Sequence, residues 1–113
     1  MNIQIFGKTK CFDTKKAERW FKERGIKYQY VDVVKFGLSK GEYQSVKKAV
    51  GGMDALMDVK SKEYESQFIK YLASAEDAEQ RLLGNPAMFL TPIVRNGKFA
   101  TVGYKPDVWA GWE

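Results

Sequence analysis

The amino-acid sequence predicts an α/β protein built on one mixed sheet of four strands, with helices on both faces. The first 34 residues have the pattern of a strand, a helix and a second strand, which is a βαβ unit with parallel strands. A β-hairpin and a short helix follow a helical middle section. The chain has 113 residues, of which 44% are apolar, so we expect one domain over residues 1–113, with a variable helical part at about 39–90.

The first half supplies the βαβ unit. Residues 2–6 alternate between polar and apolar types, which predicts a strand, and residues 26–34 are rich in β-branched and aromatic types, which predicts another. Between them the period changes to that of a helix starting near Asp13 and stopping at Gly25. The inward face of this helix is predicted from residues spaced by three and four: Ala17, Trp20, Phe21 and, as a weaker member, Arg24.

Helical signals dominate the middle of the chain. Ser39 and Glu42 have the spacing of a capping box, which predicts a helix that Gly51 and Gly52 end. Its inward residues are expected to be Tyr43, Val46, Ala49 and Val50. Residues 53–72 are less regular, and the spacing of Tyr64, Phe68 and Leu72 favours a helix there. Ser74 is placed to cap a further helix that residues 84–86 would stop.

The last third predicts a hairpin and a final helix. Residues 92–95 and 98–102 are apolar strands joined by Asn96-Gly97, a pair typical of a two-residue type I′ turn. Pro106 suits the first turn of a short helix that carries Val108, Trp109 and Trp112. The order of elements is that of a thioredoxin-like fold. We expect the tryptophans to pack in the core rather than to stack on nucleic-acid bases.

Composition excludes several classes of function. The chain has no histidine, which excludes histidine-ligated metal sites, Cys–His proteases and Ser–His–Asp hydrolases, and we predict no metal site. The net charge of +5 comes from dispersed lysines, so we expect no direct nucleic-acid binding. No apolar run is long enough for a membrane span, and the single cysteine cannot form an internal disulfide. A cytoplasmic location is therefore the expectation.

Cys11 is the one candidate for a soft covalent nucleophile. It lies between the first predicted strand and the first predicted helix, where the helix N-terminus favours a thiolate. Lys8, Lys10 and Lys15 add positive charge nearby, although an ordinary buried cysteine is the alternative. The chain lacks a Cys-x-x-Cys pair, so turnover would need an external thiol such as glutathione and no tightly bound cofactor.

Several segments together resemble the arsenate reductase (ArsC)-related family, which includes the Spx-type regulators. They are Cys11 at its junction, the helix end Phe-Lys-Glu-Arg-Gly-Ile, the Leu-Ser-Lys-Gly-Glu opening and the late Thr-Pro-Ile-Val-Arg-Asn-Gly-Lys segment. The resemblance covers residues 2–112. It implies a glutaredoxin-like core and a catalytic cysteine at Cys11. It also implies that Thr14 supplies the hydroxyl that follows this cysteine by three residues in the reductases, and that Lys15 is the basic residue after it.

The same resemblance implies three arginines that hold the oxyanion in the family's reductases. The first aligns near Asp58, and the other two correspond to Thr91 and Lys105, so only one keeps a positive charge. Lysine cannot copy the planar fork of arginine. Efficient arsenate reduction is therefore not expected.

Thr91 and Pro92 complete the predicted site. In thioredoxin-like folds a cis-proline precedes the third strand and lies against the active cysteine, which leaves the preceding backbone free to pair with glutathione. A trans proline that merely starts an edge strand is the alternative. Arg95 lies on the opposite face from Pro92 by alternation, and we consider it only a weak anion contact.

Three functions follow from the resemblance. The first is a thiol-dependent oxidoreductase in which Cys11 forms a mixed disulfide or adduct with a small thiol or oxyanion substrate, with glutathione as co-substrate and glutaredoxin as a possible partner. The second is a non-enzymatic regulator that binds RNA polymerase, as the Spx branch does. The third is an inactive family member.

Overall fold

The sheet is mixed and four-stranded in the computed structural model, which describes residues 2–66 and 74–112. Its strands are β1 (Ile3–Gly7), β2 (Tyr28–Asp32), β3 (Ile93–Asn96) and β4 (Phe99–Val102). They lie in the order β2-β1-β3-β4. β1 and β2 are parallel, whereas β3 is antiparallel to both β1 and β4. The predicted sheet is confirmed.

Helices cover both faces of the sheet. They are α1 (Phe12–Glu23), α2 (Val33–Phe36), α3 (Lys40–Val50), α4 (Lys62–Ser66), α5 (Ala75–Gly84) and α6 (Pro106–Ala110), with 3-10 turns at Met53–Leu56 and Pro86–Met88. Ile5 and Val94 point to the face covered by α1 and α6, and Phe6 and Ile93 to the face covered by α2, α3 and α5. Within the described ranges, no helix is long and apolar enough to cross a membrane.

The core under α1 and α6 is aromatic. Ala17, Trp20 and Phe21 are buried as the helical spacing predicts, and Trp109 packs against both aromatic rings. The indole Nε1 of Trp109 donates to the Thr101 hydroxyl at 2.8 Å, so the one polar atom of the tryptophan side chain has a hydrogen-bond partner. Arg24, the weaker member of the predicted face, is exposed and lays its guanidinium 3.9 Å from the Trp20 ring centroid.

The capping box at Ser39 is confirmed and fixes the start of α3. The Ser39 hydroxyl accepts from the Glu42 N–H, and the Glu42 carboxylate accepts from the Ser39 N–H, an arrangement typically worth about 1 kcal/mol. Gly51 ends the helix at φ +91°. Tyr43 and Val46 are buried and Val50 packs partly against them, but the prediction for Ala49 is wrong: it is exposed at the edge of this apolar stripe.

The second strand is shorter than predicted. Val33 and Val34 belong to α2, because the Asp32 carboxylate accepts hydrogen bonds from the Val34 and Lys35 N–H groups at 3.1 and 3.3 Å. This cap starts a helix in a segment that strand propensity alone assigns to a strand. Val33 still reaches the core, whereas Val34 is exposed.

The hairpin turn lies one residue later than predicted. Asn96 is the last residue of β3 and pairs with Phe99, so Gly97 and Lys98 form the two-residue loop. Asn96 also pairs with Ile3 across the sheet, and its side chain accepts from the Asn2 N–H at 3.2 Å. These contacts with β1 extend β3 by one residue. Gly97 takes φ +59°, which glycine adopts without steric cost.

The middle section agrees with the prediction only in part. α4 contains Tyr64, which packs partly against the core, but Phe68 and Leu72 lie outside the described residues. The Ser74 hydroxyl accepts from the Asp77 N–H, which confirms this residue as the cap of α5. Pro106 occupies the first turn of α6, also as predicted.

Candidate thiol site

Cys11 is the N-cap residue of α1, at the carboxyl end of β1. Its backbone is extended (φ −88°, ψ 118°), and its carbonyl accepts the first helical hydrogen bond from the Lys15 N–H at 3.2 Å. The thiol is partly exposed. The side chain therefore lies at the positive end of a twelve-residue helix, as the sequence predicts.

Thr14 lies in the first turn of α1 and supports the sulfur. Its side chain is 1% exposed, and its hydroxyl oxygen accepts from the Lys8 N–H at 3.4 Å. The hydroxyl hydrogen bonds to the Cys11 sulfur, as does the backbone N–H of the same residue. Because the oxygen receives the Lys8 N–H, the hydroxyl proton remains available for the sulfur.

Gly7 makes room for Thr14, and the sequence analysis missed it. A Cβ at this position would lie 2.3 Å from Thr14 Cγ2, 2.9 Å from its Oγ1 and 3.1 Å from the Tyr30 ring. Real Cβ atoms do not approach other atoms so closely, so any larger residue would displace the threonine. The only signal in the sequence is a glycine at the end of a buried strand, which is weak because turns also select glycine.

Thr91 and Pro92 lie across from the sulfur. The peptide bond between them is cis, as predicted. The Cys11 thiol donates to the Thr91 carbonyl at 3.6 Å, and the Thr91 side chain also hydrogen bonds to the sulfur. Within the described residues, the Thr91 N–H has no acceptor. We call Cys11, Thr14, Thr91 and Pro92 the thiol site.

The pKa of the Cys11 thiol is below its ordinary value. Partial burial of the sulfur raises the pKa, but hydrogen bonds outweigh this effect. The donors are the side chains of Thr14 and Thr91 and the backbone N–H groups of Thr14 and Asp13. Such donors favour the charged form of a thiol because they stabilise the thiolate more than the neutral sulfur.

Two of the lysines predicted to lie near the sulfur make contacts with other groups. Lys8 directs its ammonium to the Ala87 carbonyl at 2.7 Å, and Lys15 lies 6.0 Å from the ring centroid of the exposed Phe12. Lys10 and Lys105 are exposed, and the latter is the N-cap residue of α6. The contribution of these lysines to thiolate or anion binding stays a prediction.

Arg95 is not brought to the thiol site. It pairs with Gln4, towards the end of β1 that is distant from Cys11. Its guanidinium donates to the Gln4 side chain at 2.9 Å and to the Gly97 carbonyl at 3.1 Å. These contacts hold the hairpin end of the sheet, so the geometry gives no support to the predicted anion contact.

A cleft of about 420 Å³ lies beside the loop that precedes Cys11. Its charged walls are Lys8 and Lys10 on the loop and Asp32, Asp58 and Glu63 opposite, and we call it the acidic cleft. Asp58 is fixed by its N–H, which donates to the Met88 carbonyl at 2.7 Å. This backbone bond fixes the position of Asp58, the residue near which the resemblance aligns an arginine. Among the described residues, no cluster of cysteine and carboxylates could hold a metal ion.

Comparison with known proteins identifies the family. The model of the ArsC family matches residues 6–111. The chain is 30% identical over 112 residues to the global transcriptional regulator Spx 2 of Oceanobacillus iheyensis, covering 95% of this chain and 80% of that protein.

Solved structures show the same fold. An arsenate reductase from Vibrio cholerae superposes with a TM-score of 0.86 at 20% identity, covering 98% of this chain and 97% of the other. An ArsC family related protein from Bacteroides fragilis gives a TM-score of 0.85 at 20% identity, with 100% and 98% covered. With a family model that spans nearly the whole chain, this protein belongs to the ArsC family.

Proposed function

We propose that the protein is a thiol-dependent oxidoreductase in which Cys11 forms a mixed disulfide with a glutathione-type thiol. The observation that carries the proposal is the convergence of Thr14 and Thr91 on the sulfur, which lowers the pKa of the thiol. A lowered pKa supplies more thiolate at neutral pH, and the thiolate is the attacking species in disulfide exchange.

The reaction consists of two exchanges. The Cys11 thiolate attacks the glutathionyl sulfur of a substrate disulfide and forms a mixed disulfide with glutathione, and the substrate's own sulfur leaves as a thiolate and takes up a proton. A glutathione thiolate then attacks the mixed disulfide, which returns the Cys11 thiolate and releases oxidised glutathione. The Thr91 N–H beside Pro92 has no acceptor among the residues that the structure describes, so it is available to pair with the backbone of glutathione.

Two features of the chain decide which substrates we expect it to use. Cys11 is the only cysteine, so an external thiol must complete the cycle. The resemblance aligns the first oxyanion-binding arginine near Asp58, and the carboxylates on this wall of the acidic cleft would repel arsenate. We therefore expect disulfide exchange to be efficient and arsenate reduction to be poor.

The test is an intact-mass measurement after incubation with oxidised glutathione. Wild type should gain one glutathionyl group, and reduced glutathione should remove it. Cys11→Ser should gain nothing. A wild-type protein that stays unmodified, while denatured protein reacts, would overturn the proposal and leave an inactive family member.

A second candidate function rests on the curated relatives. They are Spx regulators, and the Spx 2 protein of Oceanobacillus iheyensis resembles this chain over nearly its whole length. On this reading the chain binds RNA polymerase through a protein surface and needs no turnover. Purified RNA polymerase immobilised on a sensor separates the two functions: binding that persists in Cys11→Ser favours the regulator, and no binding with glutathione exchange favours the oxidoreductase.

A further inference from the structure

The free edge of β4 forms the floor of a second cleft, of about 410 Å³. One wall comes from α3, with Ser45, Lys48 and Ala49. The other comes from the start of β4 and the last turns of the chain, with Phe99, Val108 and Trp112. We call it the edge cleft. None of the residues of the thiol site lines it.

The backbone of β4 points unused hydrogen-bonding groups into this cleft. Asn96 and Phe99 flank a two-residue loop and pair with each other, and the Gly103 N–H donates to the Pro92 carbonyl at 2.8 Å. Hydrogen-bonded pairs alternate along an antiparallel ladder, so Ala100 and Val102 direct their N–H and C=O groups away from β3. Within the described ranges, no strand pairs with this edge.

The two walls differ in chemistry. Phe99 and Val108 are 54% and 46% exposed, and Trp112 lies beside them, which makes the α6 wall apolar. The α3 wall carries Lys48, which is exposed and has no ion pair with a described residue. Lys98 adds a second positive charge at the hairpin end, and no carboxylate is among the described residues that line the cleft.

The free β4 edge and its two unlike walls indicate what kind of chain segment would fit the edge cleft. A strand that pairs with β4 would direct alternate side chains to the two faces of the sheet. One set would meet the apolar wall with Phe99, and the other would meet Lys48. Pairing of two β4 edges from two copies would instead bring lysines towards each other, which opposes self-association.

We propose that the edge cleft binds an extended segment of a partner protein in which acidic and apolar residues alternate, by adding it to β4 as a fifth strand. The main-chain hydrogen bonds supply affinity and the two walls supply specificity. This site is independent of the proposed thiol chemistry.

The probe is a fluorescent eight-residue peptide of alternating glutamate and valine, capped at both ends and followed by anisotropy. It should bind wild type, and the binding should weaken as salt is raised. A peptide of alternating lysine and valine, and one with the same composition but with the glutamates and valines in separate blocks, should bind at least about tenfold more weakly.

Four variants locate the binding. Lys48→Glu should weaken it at least about tenfold, whereas Lys40→Glu, on the same helix but outside the cleft, should not. Ala100→Pro removes an outward N–H without breaking a bond to β3 and should also weaken binding, with thermal unfolding confirming that it folds. Cys11→Ser should bind as wild type does.

Several results would overturn the proposal. They are the absence of binding to the acidic alternating peptide, equal binding of all three peptides, and equal effects of Lys48→Glu and Lys40→Glu. A concentration-dependent dimer that Ala100→Pro dissociates would assign the edge to a second copy of the chain instead.

Discussion

Two neighbouring regions at the carboxyl end of β1 respond to negative charge in opposite ways. At the thiol site, the uncharged side chains of Thr14 and Thr91 donate hydrogen bonds to the sulfur and favour a thiolate. In the acidic cleft beside it, the carboxylates of Asp32, Asp58 and Glu63 outnumber the ammonium groups of Lys8 and Lys10 and so disfavour an incoming anion. Activating the nucleophile and holding an oxyanion are therefore separable tasks, because the groups that lower the pKa of the Cys11 thiol are not the groups that line the acidic cleft.

Removing the hydroxyl of Thr14 should have the largest effect on the thiol site. Thr14→Val keeps the volume but loses a donor to the sulfur, so the pKa of Cys11 should rise and alkylation by iodoacetamide at pH 7 should slow by roughly tenfold. Thr14→Ser retains the hydroxyl and is the matched control. Equal rates for the valine and serine variants would mean that the hydroxyl does not stabilise the thiolate.

Filling the space at Gly7 should disturb the same site indirectly. Gly7→Ala places a methyl group against Thr14 Cγ2, so we expect a loss of about 1–3 kcal/mol in the free energy of unfolding and a few-fold slower alkylation. Adding Thr14→Ser removes the clashing methyl and should restore part of both. If the double variant is no better than Gly7→Ala alone, the contact with Thr14 is not the cause.

Reversing the charge of Asp58 should change the acidic cleft and spare the thiol site. Asp58→Arg should raise the alkylation rate with anionic iodoacetate by roughly threefold, since a like charge becomes an opposite one, and leave the rate with neutral iodoacetamide nearly unchanged. Asp54→Arg, at an exposed position outside the cleft, is the control. A similar gain from both variants would show a general charge effect rather than a local one.

The two regions also differ in how far the sequence predicts them. The place of Cys11 and the capping of α3 follow local patterns, which are readable in one sequence. The cis bond before Pro92 follows instead from the resemblance to thioredoxin-like folds. The acidic cleft joins Asp32, Asp58 and the loop before Cys11, which are distant in the chain. Only the fold brings them together, and a single sequence does not specify which distant residues share a cleft.

The predictions that differ from the structure do so because contacts in the folded chain override local sequence preferences. Strand propensity at Val33 and Val34 was overridden by one carboxylate cap at Asp32, and the turn moved because Asn96 pairs across the sheet with Ile3. Arg95 is predicted as a weak anion contact, but its guanidinium donates hydrogen bonds to the Gln4 side chain and the Gly97 carbonyl. Gly7 matters because of a contact with Thr14 that only three-dimensional packing reveals.

The pH titration of Cys11 alkylation is the measurement that decides whether hydrogen bonds to the sulfur make this residue a reactive thiolate. The rate of iodoacetamide alkylation should rise with pH through a midpoint below about 8.5, the ordinary value for a free cysteine, because the thiolate forms at lower pH when it is stabilised. The midpoint should move upward in Thr14→Val. A wild-type midpoint at or above about 8.5 would contradict the account.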